Sequence, residues 1–181
     1  SRPTGADLLA RRAVAWALVA DALPIYPLYA LLFLGHGLSA DQISLLFALW
    51  SLAGLVSGVP TGLLADRYSR RGCVAAAGPV KAAAFLYWLA FPSFAGFAAG
   101  FALWGLAGSL SSGALEALVY DGLTSFGAEA PYPKVLGRLS AVELLGQLVA
   151  TAGAAALFPL AGFAGVIGAS VGLCLWSSVR S

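Results

Sequence analysis

Six long apolar runs separated by short polar connections constrain this chain more than any other feature. They fall at about 13–34, 43–65, 73–92, 94–120, 136–157 and 160–179, each near the ~20 residues that cross a bilayer core. In hydrocarbon every backbone N–H and C=O must be satisfied internally, which leaves helices and closed barrels. The runs lack the in–out alternation of barrel strands, so the sequence predicts an all-α membrane protein with six transmembrane helices. Composition agrees: 60% hydrophobic and 10% charged residues, against roughly 25% charged in soluble domains, exclude both a soluble globular chain and a disordered one. The first run is longer than a secretory signal core and has no small-residue cleavage site after it, so it is expected to stay in the protein. Prolines 24, 27, 60, 79, 92 and 159 are expected at kinks or ends.

The basic residues set the expected orientation. Arg2, Arg11, Arg12, Arg67, Arg70, Arg71, Lys134, Arg138 and Arg180 all fall on the side of the amino terminus, and Lys81 lies inside a run. Short cytoplasmic loops retain Lys and Arg, so both termini are expected to be cytoplasmic, in a multi-pass protein of the plasma (inner) membrane. Cys73 and Cys174 do not resemble an extracellular disulfide framework. Small residues at four-residue spacing, Gly54/Gly58/Gly62, Gly105/Ser109/Gly113 and Gly168/Gly172, predict faces on which helices approach closely.

Charges within the runs mark the residues that carry chemistry, because each costs at least ~2.5–3.5 kcal/mol at mid-bilayer by insertion scales. Asp21 and Lys81 are placed near the middle, Glu143 shallower and Glu116 near the inner end. Helical spacing gathers Gly105, Ser109, Ser112, Gly113, Glu116 and Tyr120 on one face of the fourth run, and Ser140, Glu143, Gln147 and Thr151 on one face of the fifth. Tyr29 lies at the edge of the Asp21 face. Such stripes predict a hydrated cavity, with Asp21, Tyr29, Ser109, Ser112, Glu116, Glu143 and Gln147 on a substrate or proton pathway. Lys81 is expected in an intramembrane ion pair with Glu116 or Glu143, and Asp21, lacking an obvious partner, either to bind a proton or cation or to take an interhelical hydrogen-bonding role. Three acidic groups tilt the expected substrate toward a cationic or lipophilic small molecule.

Between the second and third runs stands Gly62-Leu63-Leu64-Ala65-Asp66-Arg67-Tyr68-Ser69-Arg70-Arg71. This resembles the Gly-x-x-x-Asp-Arg-x-Gly-Arg-Arg loop of the major facilitator superfamily, departing from it at Ser69. Tyr120-Asp121 and Gly137-Arg138 fit the same resemblance. It implies a single domain over 1–181, the amino-terminal six-helix half of a twelve-helix fold, built from two inverted three-helix repeats at about 8–92 and 94–180. It also implies a cytoplasmic gating loop of Gly62, Asp66, Arg67, Arg70, Arg71, Asp121 and Arg138 that latches helix ends in one conformation and releases them in another. The superfamily's frequent fourth-helix Arg and the fifth-helix Gly-Pro motif of antiporters are absent.

The function this implies is secondary active transport of a small molecule by alternating access, coupled to protons, in the direction of drug or metabolite efflux. The expected partners are the lipid bilayer, the substrate and a second six-helix half, from the same protein or another chain. No Met is present, even at position 1, so the chain reads as a fragment or processed product. The alternative is a non-transporting membrane module for assembly or regulation. Enzyme readings fail on missing residues: Leu110-Ser111-Ser112-Gly113 lacks the first Gly of an intramembrane serine protease, the sole His is His36 in an outer loop, and there is no Asn for an aquaporin-type turn. Phosphate loops, metal-ligand clusters and basic aromatic surfaces for nucleic acid are missing too, so no cofactor, metal or nucleic acid is expected.

Overall fold

The computed structural model describes residues 5–127 and 132–179, so Arg2 and Arg180 lie outside the described residues. All regular structure among them is helical: α1 (Gly5–Asp21), α2 (Tyr29–Gly35), α3 (Ala40–Arg67), α4 (Arg70–Ala90), α5 (Phe94–Ser125) and α6 (Tyr132–Val179). Four of these, α3, α4, α5 and α6, are long and apolar enough to cross a membrane, the mark of an all-α membrane protein.

Three of the expected runs are built differently. The first starts at Gly5 and is not one helix: α1 stops at Asp21 and α2 resumes at Tyr29. Pro24 and Pro27 have no N–H to give to carbonyls four residues back, and their rings clash with the preceding turn. Short turns replace the helical ladder, with Tyr26 N–H donating to Leu23 O (3.1 Å) and Leu28 N–H to Ile25 O (3.0 Å). The freed Ile25 N–H donates to Ser170 Oγ at 3.1 Å, so the buried break is closed by a side chain from α6.

The fifth and sixth runs meet in α6, whose 48 residues are interrupted at Gly162 (φ 61°, ψ −162°). A straight helix of that length would extend about 70 Å, over twice the ~30 Å hydrocarbon core. Gly162 supplies the positive φ that a side chain resists, three residues beyond Pro159, which was expected at a kink or end. Both parts of α6 then lie along α1 in opposite senses. A Cβ on Gly146 would meet Leu18 O, while further on Ser170 reaches Ile25 and Ser177 O accepts from Trp16 Nε1 at 2.9 Å.

Serines start three of the helices. Ser39 forms a reciprocal capping box with Gln42, and Ser69 and Ser93 accept from the N–H groups of Gly72 (2.9 Å) and Gly96 (3.2 Å). Ser69 therefore has a structural reason to stand where the resembled loop has Gly. Its backbone is extended (φ −167°), so glycine's freedom is not required there.

An aromatic core of Phe33, Phe85, Trp88, Phe97 and Phe101, all fully buried, joins α2, α4 and α5. α3 packs on α5 where Gly105 leaves room: a Cβ there would lie 2.8 Å from Trp50 O and 2.9 Å from Gly54 N. Ser109 Oγ donates to Gly54 O at 2.7 Å across the same seam. The other glycines of the small-residue faces, Gly58, Gly62, Gly113, Gly168 and Gly172, meet no neighbour within 4 Å. They correct the expectation of close packing along whole faces. α3 in particular presents Leu55, Val56, Val59 and Leu63 outward.

Candidate functional site: a charged aromatic cavity

The break between α1 and α2 leaves Asp21 on the last turn of α1 and Tyr26 in the bend. Lys81 of α4 extends toward both. Its Nζ donates to Tyr26 Oη at 3.1 Å, Tyr26 Oη donates to Asp21 Oδ1 at 3.3 Å, and Nζ stands 4.0 Å from that same oxygen. The side chains of Lys81 and Asp21 are 14% and 26% exposed, so the pair is mostly withdrawn from solvent. The partner of Lys81 is Asp21, correcting the expected pairing with Glu116 or Glu143. Asp21 in turn is not the unpartnered carboxylate that its sequence context suggested.

These groups line a cavity of about 450 Å³, within the ~300–1,000 Å³ typical of small-molecule sites. All six helices contribute: Trp16 and Asp21 from α1, Tyr29 from α2, Trp50 from α3, Lys81 from α4, Trp104, Ser111 and Ser112 from α5, and Glu143 and Gln147 from α6, with Tyr26 from the bend. Tyr26 stacks on Trp104 with ring centroids 5.1 Å apart, and Trp104 stacks on Phe101 at 5.6 Å. The lysine–tyrosine–aspartate chain is thereby tied through aromatic contacts to the buried core. One lysine faces two carboxylates across this space, which makes the cavity net acidic.

Of the expected pathway residues, Asp21, Tyr29, Ser112, Glu143 and Gln147 come together here. Ser109 does not: its hydroxyl is engaged in the α3–α5 seam by Gly54 O and by Ser57 Oγ at 3.0 Å. Glu116, one turn beyond Ser112, is exposed and off the cavity wall. Ser140 and Thr151 are exposed as well. The aromatic wall of Trp16, Tyr26, Trp50 and Trp104 was not anticipated. Its available signal was the placement of Trp50 and Trp104 well inside runs, away from the membrane–water interface where tryptophan is enriched.

A second charged group closes one end of the bundle. Arg70, at the start of α4, bonds Asp66 at 2.9 Å and also pairs with Asp121 of α5. One guanidinium thus bridges the ends of α3, α4 and α5. Arg67 stacks over Tyr68, with its guanidinium carbon 5.9 Å from the ring centre. Arg71 and Gly62 are exposed at the same end. Arg138 is exposed too and forms no ion pair among the described residues, so it stands outside the expected cluster. Ser178 donates to Ala75 O, and a Cβ on Gly122 would meet Leu9, so the helix ends nearest the basic residues lie together.

Cys73 and Cys174 are buried free thiols. No cluster of three metal-ligating side chains occurs among the described residues. No protein-family model and no curated protein matches the chain.

Proposed function

We propose that this chain is one six-helix half of a secondary transporter of the major facilitator kind, working by alternating access on a small molecule and coupled to protons. In this reading α1 with α2, then α3, α4, α5 and the two parts of α6 are six passes arranged as two inverted three-helix repeats. Both termini are cytoplasmic in the plasma (inner) membrane, and the substrate leaves the cell as a drug or metabolite. The observation that carries the reading is the cavity between six helices, lined by an ion pair and a further carboxylate, beside a helix broken at two prolines. Non-helical backbone and charge at membrane depth are tolerated where they line a cavity, and broken helices mark transporter sites. The Arg70 bridge is a gate of matching kind: its partners are exposed, so a helix movement can exchange them for water or for a second half at small cost. The outward apolar face of α3 suits contact with that second half.

The test is access. Cys73 and Cys174 are buried, so Ser112→Cys in the intact protein supplies an accessible thiol in the cavity. Membrane-impermeant thiol reagents are applied to oriented vesicles from each side, with and without a proton gradient. The expected result is labelling from either side with rates that the gradient shifts in opposite directions. Labelling from one side only, insensitive to the gradient, would refute alternating access and favour the assembly module.

A further inference from the structure

We infer that the cavity takes a ring-bearing organic cation in competition with a proton, and that Glu143, rather than Asp21, is the carboxylate exchanging the two. The inference rests on the carrier reading and names its substrate class and exchange residue. Asp21 is committed to Lys81 at 4.0 Å and to Tyr26 Oη at 3.3 Å. Neutralising it would strand an ammonium at membrane depth, the costly form of a broken buried pair. Glu143 faces the same cavity, half-buried, with no ion pair among the described residues. Protonating it removes a charge instead of stranding one.

The charged and titratable groups around Glu143 are Asp21 of α1, Tyr26 of the bend, Tyr29 of α2, Lys81 of α4 and Glu116 of α5. With Lys81 already neutralised by Asp21, Glu143 is the uncompensated charge of the cavity, and an anion has no free cationic partner there. A cation finds the Glu143 carboxylate, together with aromatic faces. Trp104 is covered by Tyr26 and Phe101, but Trp50 lines the cavity and stays 38% exposed, and a desolvated cation over Trp is worth ~2 kcal/mol or more. The exchange balances simply: the incoming cation pairs with the Glu143 carboxylate, and the proton that the carboxyl held leaves to cavity water.

Binding of tetraphenylphosphonium to the intact protein in lipid discs, read by tryptophan quenching and corrected against protein-free discs, tests this. Tetraphenylborate, an anion of the same shape, isolates the effect of charge. Phosphonium binding is expected to tighten at least about tenfold as pH rises from roughly 5 to 8, since the carboxylate form is the binding form. In weak buffer at the acid end each bound cation should release about one proton. Glu143→Gln should weaken binding about tenfold and flatten its pH dependence, while Glu143→Asp, which keeps the charge, retains the slope. Preference for the borate, or a pH slope that survives Glu143→Gln, overturns the inference. The two readings fail separately: the expected binding pattern without gradient-shifted Ser112→Cys labelling would sink the carrier and leave the cation site, and the converse would sink the cation site alone.

Discussion

Replacing Asp21 by Asn leaves Lys81 withdrawn in the protein with no carboxylate within 4 Å. At 4.0 Å the pair's gross attraction is about 4 kcal/mol at an effective dielectric of 20. Removing one member of a buried pair costs about 3–5 kcal/mol because the other is stranded. Residual exposure of 14% and 26% on the two side chains moves the expectation to the lower end, about 3 kcal/mol. Lys81→Met should be milder, about 1–2 kcal/mol, because Asp21 keeps its Tyr26 hydrogen bond and is the more exposed of the pair. Asp21→Asn with Lys81→Met together removes both charges and should resemble the milder single variant. A double-mutant cycle by reversible unfolding in mixed micelles should then return a coupling of at least about 1.5 kcal/mol, above the ~0.6 kcal/mol average for interhelical polar contacts in a membrane. Additivity within about 0.5 kcal/mol would refute the pairing and remove the reason for assigning exchange to Glu143.

Ser170→Ala should lower stability by about 1–3 kcal/mol in the same unfolding assay, because it leaves the buried Ile25 N–H without an acceptor. Gly105→Val would drive a branched side chain into Trp50 O and Gly54 N; expected is separation of α3 from α5, seen as lost crosslinking between cysteines placed across that seam. Gly162→Ala forces a side chain into a positive-φ conformation and should destabilise by about 1–3 kcal/mol. Arg70→Ala should leave thermal stability unchanged, since its partners are exposed, yet raise the rate at which the Ser112→Cys thiol is labelled from the basic side. An unchanged labelling rate would remove Arg70 from any gating role.

Helix existence was legible because lipid leaves little choice of backbone and apolar length is a one-dimensional quantity. Helix interruption was less so. Pro24 and Pro27 gave a visible reason for the first break, whereas Pro60 and Pro79 sit inside helices that continue, so proline alone does not say which turn yields. That depends on a neighbour able to satisfy the freed backbone, and Ser170 is 145 residues from Ile25. The same limit governed the charges. Helical spacing grouped Glu143 with Gln147 on one face and placed Ser112 on another, and these residues line one cavity with Asp21. It could not tell that Ser109, three residues from Ser112, would turn into the α3 seam. The partner of Lys81 was misassigned because a helical count from Asp21 passes through a bend that is not helical, and Tyr26, which joins the two, has no helical offset from Asp21 to mark it.

The break and the ion pair are one construction. Had α1 run on through residue 28 as a regular helix, Tyr26, five residues along, would have pointed about 140° away from Asp21 around the axis, and its hydroxyl could not bridge to Lys81. Unwinding the turn brings the phenol back over the carboxylate and orients its ring onto Trp104. The two prolines therefore do more than bend a helix: they trade ladder hydrogen bonds for a polar chain across α1, the bend and α4 that gives the Lys81 ammonium two partners inside the bundle. With that lysine satisfied, the remaining cavity charge is free to belong to Glu143. A change that straightens the bend should consequently alter the charge balance of the cavity even though it touches none of the charged residues.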